Sequence, residues 1–187
     1  MKKGFLILAV VLLTIIMAVS VNDQEVSARS RVYRIAQKGP AGGWVFFDKG
    51  DYSGGWRYLE AAPEGLGDVE WGCYKKDIPE TKRRAIGTGR NNTEAIVKNC
   101  GERDTAAGRA LAYRGGRKND WYLPSRDELE VMNLNLRKAG IVGFDYFDYW
   151  SSTEFSADEA WAWSYSLGCL TLSKDYPIIG VRPIRAF

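Results

Sequence analysis

The sequence contains no histidine, and this absence removes several kinds of chemistry. Ser-His-Asp catalysis, Cys-His catalysis and metal sites with imidazole ligands all require that side chain. The three cysteines show no Cys-X-X-Cys spacing, so a structural zinc site is not expected either. The chain also lacks internal repeats and any collagen-like Gly-X-Y run. We therefore predict no catalytic residue and no cofactor, with calcium as the one metal left to consider.

The N-terminus has the pattern of an export signal. Lys2 and Lys3 precede an apolar run from Phe5 to Val19, which matches the charged and hydrophobic parts of a signal peptide. We assign residues 1–28 to this signal. An uncleaved membrane anchor is the alternative, because Gly4–Val21 is uncharged and approaches the roughly 18 residues that span a bilayer. Either way the folded part is expected to be secreted, periplasmic or at the cell surface.

The remaining chain has the size and composition of one folded domain. The signal contains two basic and two acidic residues, so its removal leaves the net charge at +3. A hydrophobic content of 45% with seven tryptophans and ten tyrosines is ample for a core. We place a linker or lead-in strand at residues 29–38 and the domain at residues 39–187.

The cysteines are predicted to form one disulfide. In an oxidising compartment two of the three are expected to pair. Cys73 and Cys100 bracket a polar, glycine-rich segment of the kind that a crosslink constrains. We predict the bond Cys73–Cys100, with Cys169 either buried or free.

The first half of the domain predicts a hairpin followed by helices. Trp44–Phe47 and Trp56–Ala61 have strand character and flank the Gly50–Gly55 loop. Two short helices are expected at 93–98 and 105–113, with Asn92 and Asp104 as their caps. Ser125-x-x-Glu128 is a capping box, and apolar residues then repeat at helical spacing to Lys138.

The C-terminal part predicts an antiparallel meander, and the whole chain is therefore expected to be α+β. Its four short strands are placed at 149–152, 160–166, 170–173 and 180–186. Arg182 and Arg185 lie between apolar residues of the last strand, where we expect them to hold carboxylates such as Asp127 or Glu130.

A basic segment in the middle of the chain is the main candidate binding site. If its side chains converge, they can hold a sulfated or carboxylated polymer through charge-assisted hydrogen bonds. A solvated surface of mixed charge is the alternative, because Asp77 and Glu80 interleave with them. Nucleic acid is a poorer candidate partner, since export removes most of it from reach. The basic residues are Lys75, Lys76, Lys82, Arg83 and Arg84.

Trp161 and Trp163 alternate with Tyr165, so the three rings face one side of a strand. They can stack on sugar rings, but the same alternation suits a core strand.

An acidic cluster offers oxygen ligands for calcium but lacks EF-hand spacing. Ordinary solvated loops explain it as well. Its residues are Asp145, Asp148, Glu154, Asp158 and Glu159.

Seven motifs together resemble the family defined by the C-terminal domain of the bacterial collagen-like adhesin Lcl. They cover Gly39 to Phe187 and are GPAGGWVFFDKG, WRYLEAAPE, WGCY, AIGTGRNNTEAIV, DWYLPSRDELEVM, YWSSTE and VRPIRAF. The resemblance implies a C-type-lectin-like fold with short antiparallel sheets and two to three helices, an exported or surface location, and, in the type member, binding of sulfated glycosaminoglycans. The chain departs from that member by lacking a collagen stalk. It also lacks the calcium-binding triplet of animal lectins, because Asn119-Asp120-Trp121 has the wrong order.

The Leu-Pro-Ser-x-x-Glu stretch is also similar to the formylglycine-generating enzymes. Those enzymes use a pair of copper-binding cysteines late in the domain, where this chain has only Cys169. The sequence therefore predicts an exported, non-enzymatic, adhesin-like module that binds extracellular glycan or envelope polymer. A residual formylglycine-type enzyme and a structural envelope or protein-interaction domain without a small ligand are the alternatives. Contact with a membrane is expected only through an uncleaved N-terminal segment.

Overall fold

The computed structural model describes residues 31–101, 104–141, 143 and 148–187. The predicted signal at 1–28 lies outside the described residues, as does Asp145. Among the described helices, none combines the length and apolar character needed to cross a bilayer.

The fold is α+β with short antiparallel sheets, as the sequence predicts. Three α-helices lie within the described ranges: α1 (Gly89–Cys100), α2 (Ala106–Ala112) and α3 (Arg126–Lys138). The strands are β1 (Trp44–Asp48), β2 (Tyr58–Ala61), β3 (Tyr149–Glu154), β4 (Glu159–Ser164), β5 (Gly168–Ser173) and β6 (Ile184–Ala186).

Two three-stranded sheets organise the described chain. One has the order β1-β2-β6 and the other the order β3-β4-β5. The β1–β2 hairpin is confirmed, with Trp44 opposite Ala61. The prediction that the last strand belongs to the C-terminal meander is wrong. β6 instead pairs with β2, with Ile184 opposite Ala61, because its Arg185 has a buried partner there.

Glu60 on β2 explains the glycine-rich motif that precedes β1. Its buried carboxylate accepts hydrogen bonds from the N–H of Ala41 (3.2 Å) and of Gly43 (3.0 Å). A Cβ added to Gly43 would lie 2.5 Å from the carbonyl oxygen of Ala61, so only glycine fits this approach.

Arg185 joins that carboxylate to a second one. Its guanidinium donates to Glu60 Oε1 at 2.6 Å and to both carboxylate oxygens of Asp120 at 2.7 Å. The prediction that Asp127 or Glu130 would be the partner is wrong, because both carboxylates lie beside Arg126 on α3. Burial raises the pKa of Glu60 despite Arg185. At Asp120 burial also raises the pKa, but the hydrogen bonds and charge of Arg185 outweigh it, so the pKa falls below its usual value.

Arg182, the other arginine of the closing segment, donates to three neutral oxygens of the described residues. It donates to the carbonyl oxygens of Ala62 (3.1 Å) and Gly143 (2.7 Å) and to the hydroxyl of Tyr149 (2.8 Å). Both arginines therefore have a structural role.

The helix caps follow the sequence pattern in one case of three. The Ser125–Glu128 capping box of α3 is confirmed in both directions. α2 is capped by the Thr105 hydroxyl, which accepts from the N–H of Gly108, and not by Asp104. α1 begins at Gly89, so the expected cap Asn92 lies buried inside the helix.

A buried ion pair fixes the segment around the disulfide. Lys174 Nζ lies 2.5 Å from Glu154 Oε1, and both side chains are fully buried. Glu154 also accepts the N–H of Ile78 at 2.9 Å, while Lys174 donates to the carbonyl oxygen of Lys76. The pair thus attaches residues 76–78 to the β3-β4-β5 sheet.

Two tryptophans centre the larger core. Trp71 and Trp150 are fully buried and pack with Ile96, Leu123 and several alanines. The indole N–H of Trp71 donates to the carbonyl oxygen of Ser151 (2.7 Å), and that of Trp150 to the carbonyl oxygen of Val69 (2.8 Å). Each indole N–H therefore has a hydrogen-bond acceptor inside the core.

Candidate functional site

The candidate site is built around residues 82–88, which we call the arginine loop. The loop follows a short 3₁₀ turn, Pro79–Thr81, and its backbone is held from three sides. The Arg83 carbonyl oxygen accepts from Asn92 Nδ2 of α1 (2.7 Å) and from the Thr153 hydroxyl of β3 (3.0 Å). The Arg84 carbonyl oxygen accepts the N–H of Asp127 in α3 at 3.1 Å.

Glu128 ties the far end of the loop to the cap of α3. Its buried carboxylate accepts the N–H of Gly87 (2.8 Å) and of Ser125 (2.7 Å). Burial raises the pKa of Glu128 to about 7, although the hydrogen bonds from Ser125 and Gly87 favour the ionised form. A Cβ on Gly89 would lie 2.2 Å from Glu128 Oε2, which explains the glycine at the start of α1.

The loop presents three basic side chains to solvent, and one of them is already paired. Lys82, Arg83 and Arg84 are all exposed. Lys82 Nζ lies 2.6 Å from Asp77 Oδ1, and this hydrogen bond raises the pKa of Lys82 and lowers that of Asp77. Within the described residues, the guanidinium groups of Arg83 and Arg84 form no hydrogen bond or ion pair. Their charges are therefore available to a ligand.

Trp161 lies beside Arg84 and is surrounded by three planar groups. The guanidinium carbon of Arg84 is 4.8 Å from the centroid of the indole, and that of Arg126 is 5.1 Å away. Phe155 meets the indole edge-on at 5.6 Å and is 47% exposed. Because guanidinium groups lie over the ring, little of the indole remains for stacking on a sugar.

Trp163 is excluded from the exposed surface. It is only 5% exposed and packs with Met132 and Leu136 of α3. The predicted sugar-stacking role of Trp163 is therefore contradicted, because α3 covers the strand at this position. Trp161 lies two residues earlier, nearer the N-terminus of the helix, where the covering ends.

Lys75 and Lys76 are exposed on a separate loop that follows Cys73. Lys76 Nζ donates to the carbonyl oxygen of Asn99 at the end of α1 (2.5 Å), and Lys75 Nζ lies 5.3 Å from the centroid of Tyr74. The structure thus divides the predicted basic cluster between two loops, and only the arginine loop is in contact with Trp161.

The predicted disulfide Cys73–Cys100 is present. It joins the loop of Lys75 to the C-terminus of α1, and its two cysteines are 27 positions apart in sequence. Cys169 on β5 is free and half-buried, and burial raises the pKa of its thiol to about 11.

The acidic cluster is dispersed where the structure describes it. Glu154 is committed to Lys174, Asp148 accepts the N–H of Tyr165, and Glu159 accepts the hydroxyl of Thr171. Over the described ranges, no three His, Cys, Asp or Glu side chains are grouped as metal ligands.

Sequence reasoning missed Phe155 and Arg126 at this site. The turn residues Ser156–Asp158 could have indicated Phe155 from the sequence. They bring its backbone next to Glu159, which is two residues from Trp161. No such sequence feature indicated Arg126, since its contact with the indole depends on how α3 packs against β4.

Comparison with known proteins gives little beyond the fold. No family model matches the chain, and no curated protein matches it. Among solved structures, a fimbrial protein from Bacteroides ovatus is similar to 78% of this chain, with a TM-score of 0.51 and 13% sequence identity. The match spans 44% of the fimbrial protein's own length. At this identity the likeness shows a shared fold.

Proposed function

We propose that this protein is an exported, non-enzymatic, adhesin-like module that binds anionic groups of extracellular polymer through the arginine loop. The ligand class that suits the loop best is a sulfated or carboxylated glycan. One observation carries the proposal: Arg83 and Arg84 present guanidinium groups without ion-pair partners among the described residues, on a backbone that is already fixed. A fixed loop loses little conformational entropy when it binds, and a guanidinium matches the fork of a sulfate or carboxylate.

Lys75 and Lys76 add positive charge on the neighbouring loop. Both are exposed, so they contribute long-range attraction that salt screens. The disulfide supports an oxidising, extracytoplasmic location, since such bonds are rare in the cytosol. We also propose that the chain is related to the Lcl C-terminal domain family and shares its C-type-lectin-like fold.

The cysteines support a non-enzymatic role. The chain has three, and two of them form the disulfide, so Cys169 has no second thiol with which to hold copper. Its raised pKa of about 11 keeps the thiol protonated at neutral pH, whereas nucleophiles and metal ligands are thiolates.

Binding to immobilised heparin at increasing salt concentration tests the proposal. We expect the R83A/R84A variant to bind at least ~10-fold more weakly, because each lost charge-assisted bond contributes more than about 1 kcal/mol. The K118A/K138A variant removes the same charge from two exposed positions and serves as the matched control. Equal retention of both variants, or retention of the parent that does not change with salt, would refute the arginine loop as the site.

Chemically desulfated heparin and a polygalacturonate separate the two anion classes. If desulfated heparin no longer binds the protein, the ligand group is sulfate. If desulfated heparin and polygalacturonate both still bind it, the ligand group is carboxylate.

A second candidate is a structural envelope or protein-interaction role, which the fold shared with a fimbrial protein favours. In that case a glycan array stays blank while a pull-down from envelope extract recovers a partner in a saturable manner. Detection of glycan binding that R83A/R84A abolishes would favour the first candidate.

A further inference from the structure

Within the described part of the chain, three of the four sheet edges are paired at least in part with other segments of the protein. The outer side of β1 is paired by residues 36–37, where Ala36 donates to the carbonyl oxygen of Val45 at 2.8 Å. The outer side of β6 is paired by Tyr122, which exchanges two hydrogen bonds of 2.9 Å with Ile184. These hydrogen bonds occupy Val45 and Ile184, so the protein's own chain pairs with part of each outer edge of the β1-β2-β6 sheet.

The same holds for one edge of the other sheet. On the outer side of β3, Trp150 donates to the carbonyl oxygen of Gly180 (3.0 Å) and Ser152 donates to that of Pro124 (2.7 Å). β5 is different, because its pairing in the described structure is with β4 alone. An antiparallel strand directs alternate N–H and C=O groups away from its neighbour, so the outer side of β5 carries a row of both that has no backbone partner among the described residues.

Nothing in β5 protects this edge. Gly168–Ser173 contains no charged residue and no proline, and it runs opposite β4 without a register shift. β1 and β3 both show such irregularities in their pairing. Natural edge strands are normally blunted by charge, proline or a bulge, because an unprotected edge is a template for another strand. All six residues of β5 are partly exposed, which leaves the edge accessible.

Exposed apolar side chains lie at both ends of this strand. Leu167 (73% exposed) directly precedes β5, and Ile178 (61%) and Tyr176 (43%) follow it. In an antiparallel pair the start of one strand lies beside the end of the other. Two copies of β5 would therefore bring Leu167 of each chain towards the segment 176–178 of the other. A two-fold contact of this kind is self-complementary, and the uncharged strand brings no like charges together.

We propose that β5 pairs antiparallel with β5 of a second copy of this chain, across a two-fold axis, to form a continuous six-stranded sheet. We choose a second copy as the partner because the two halves of such an interface need the same two features. These are a strand edge without a backbone partner and exposed apolar side chains at the strand ends, and β5 has both. This inference does not depend on the identity of any glycan, although two arginine loops on one dimer would raise avidity.

Sedimentation velocity over a concentration series tests the pairing, with the L167K/I178K variant as the probe. Both positions are exposed, so the substitutions leave the core intact. We expect the parent to dimerise and the variant to have a dissociation constant at least ~10-fold weaker, because four lysines would meet at the interface. The L134K variant, at an exposed leucine on α3, is the matched control and should dimerise like the parent.

Amide hydrogen exchange identifies the interface directly. In the dimer, alternate amides of β5 should become protected as the protein concentration rises, while amides of the Gly50–Gly55 loop should not change. A parent that stays monomeric would overturn the proposal. So would a dimer that persists in L167K/I178K without concentration-dependent protection of β5, since it would form through another surface.

Discussion

Gly87 donates its backbone N–H to Glu128 Oε1 at 2.8 Å, which makes one carboxylate serve both the arginine loop and the cap of α3. Glu128, which completes the capping box of α3, therefore also holds the backbone at the end of the arginine loop. This link connects the stability of the fold to the geometry of Arg83 and Arg84.

The first prediction concerns the pH dependence of stability. Because burial raises the pKa of Glu128 from 4.5 to about 7, the folded state binds a proton more tightly than the unfolded state. The stabilisation is complete below pH 4.5 and is lost as the pH rises through about 7. We expect the free energy of unfolding to fall by up to about 3 kcal/mol over this window, as measured by denaturant titration.

The Glu128→Gln variant is the control for that slope and should remove most of it. A residual slope is expected from Glu60, whose pKa burial also raises. The fold lowers the pKa values of three aspartates, Asp48, Asp77 and Asp120. Their contribution to the free energy of unfolding is therefore lost only at a pH below this window. An unchanged slope in the variant would show that Glu128 is ionised in the fold throughout.

The second prediction concerns the buried pair Lys174–Glu154. Removing one partner, as in Lys174→Met, leaves an uncompensated buried charge and should lower the free energy of unfolding by about 3–5 kcal/mol. The double variant K174M/E154L should recover much of the loss, because both charges are then gone. The exposed pair Lys82–Asp77 is the comparison, and its removal should have a much smaller effect on the free energy of unfolding, because solvent screens the attraction between the two charges. Equal effects at the two pairs would contradict this account.

The third prediction concerns the disulfide. Replacing both cysteines, as in C73S/C100S, should lower the free energy of unfolding by about 3–4 kcal/mol, because the bond restricts the unfolded chain over 27 residues. Denaturant titration of the parent with and without reductant measures the same quantity independently. C169S is the control and should leave the sensitivity to reductant unchanged.

The fourth prediction concerns the reactivity of Cys169. A pKa raised from 9.0 to about 11 lowers the thiolate fraction about a hundredfold at neutral pH. We expect the rate of alkylation by iodoacetamide to be lower by about that factor in the folded protein than in denaturant. Rapid labelling of the folded protein would revive a redox or copper-dependent role for this thiol.

Sequence patterning predicted the features that depend on neighbours along the chain. The capping box at Ser125–Glu128 needs only residues three apart, and the β1–β2 hairpin needs only a short turn. The choice of Cys73 and Cys100 follows from the polar segment between them. Asn92 failed as a cap because Glu128, distant in sequence, accepts the amide of Gly87 and allows α1 to begin earlier.

The site itself was only partly predictable. The alternation of Trp161 and Trp163 correctly places both on one face, but a two-residue period cannot say where a covering helix ends. The packing of α3 buries Trp163 and leaves Trp161 between Arg84 and Arg126. The sequence identified the basic residues of the segment. It did not predict that the fold divides them between two loops.

The sequence by itself determined the α+β composition, the capped helix, the hairpin and the disulfide, because each of these follows from local residue chemistry. Only the tertiary structure decided that β6 returns to β2, that Arg185 bridges Glu60 and Asp120, and that β5 has no second strand neighbour within the described chain. Those outcomes depend on contacts between residues far apart in the chain, where buried charges must find partners whatever the local pattern favours.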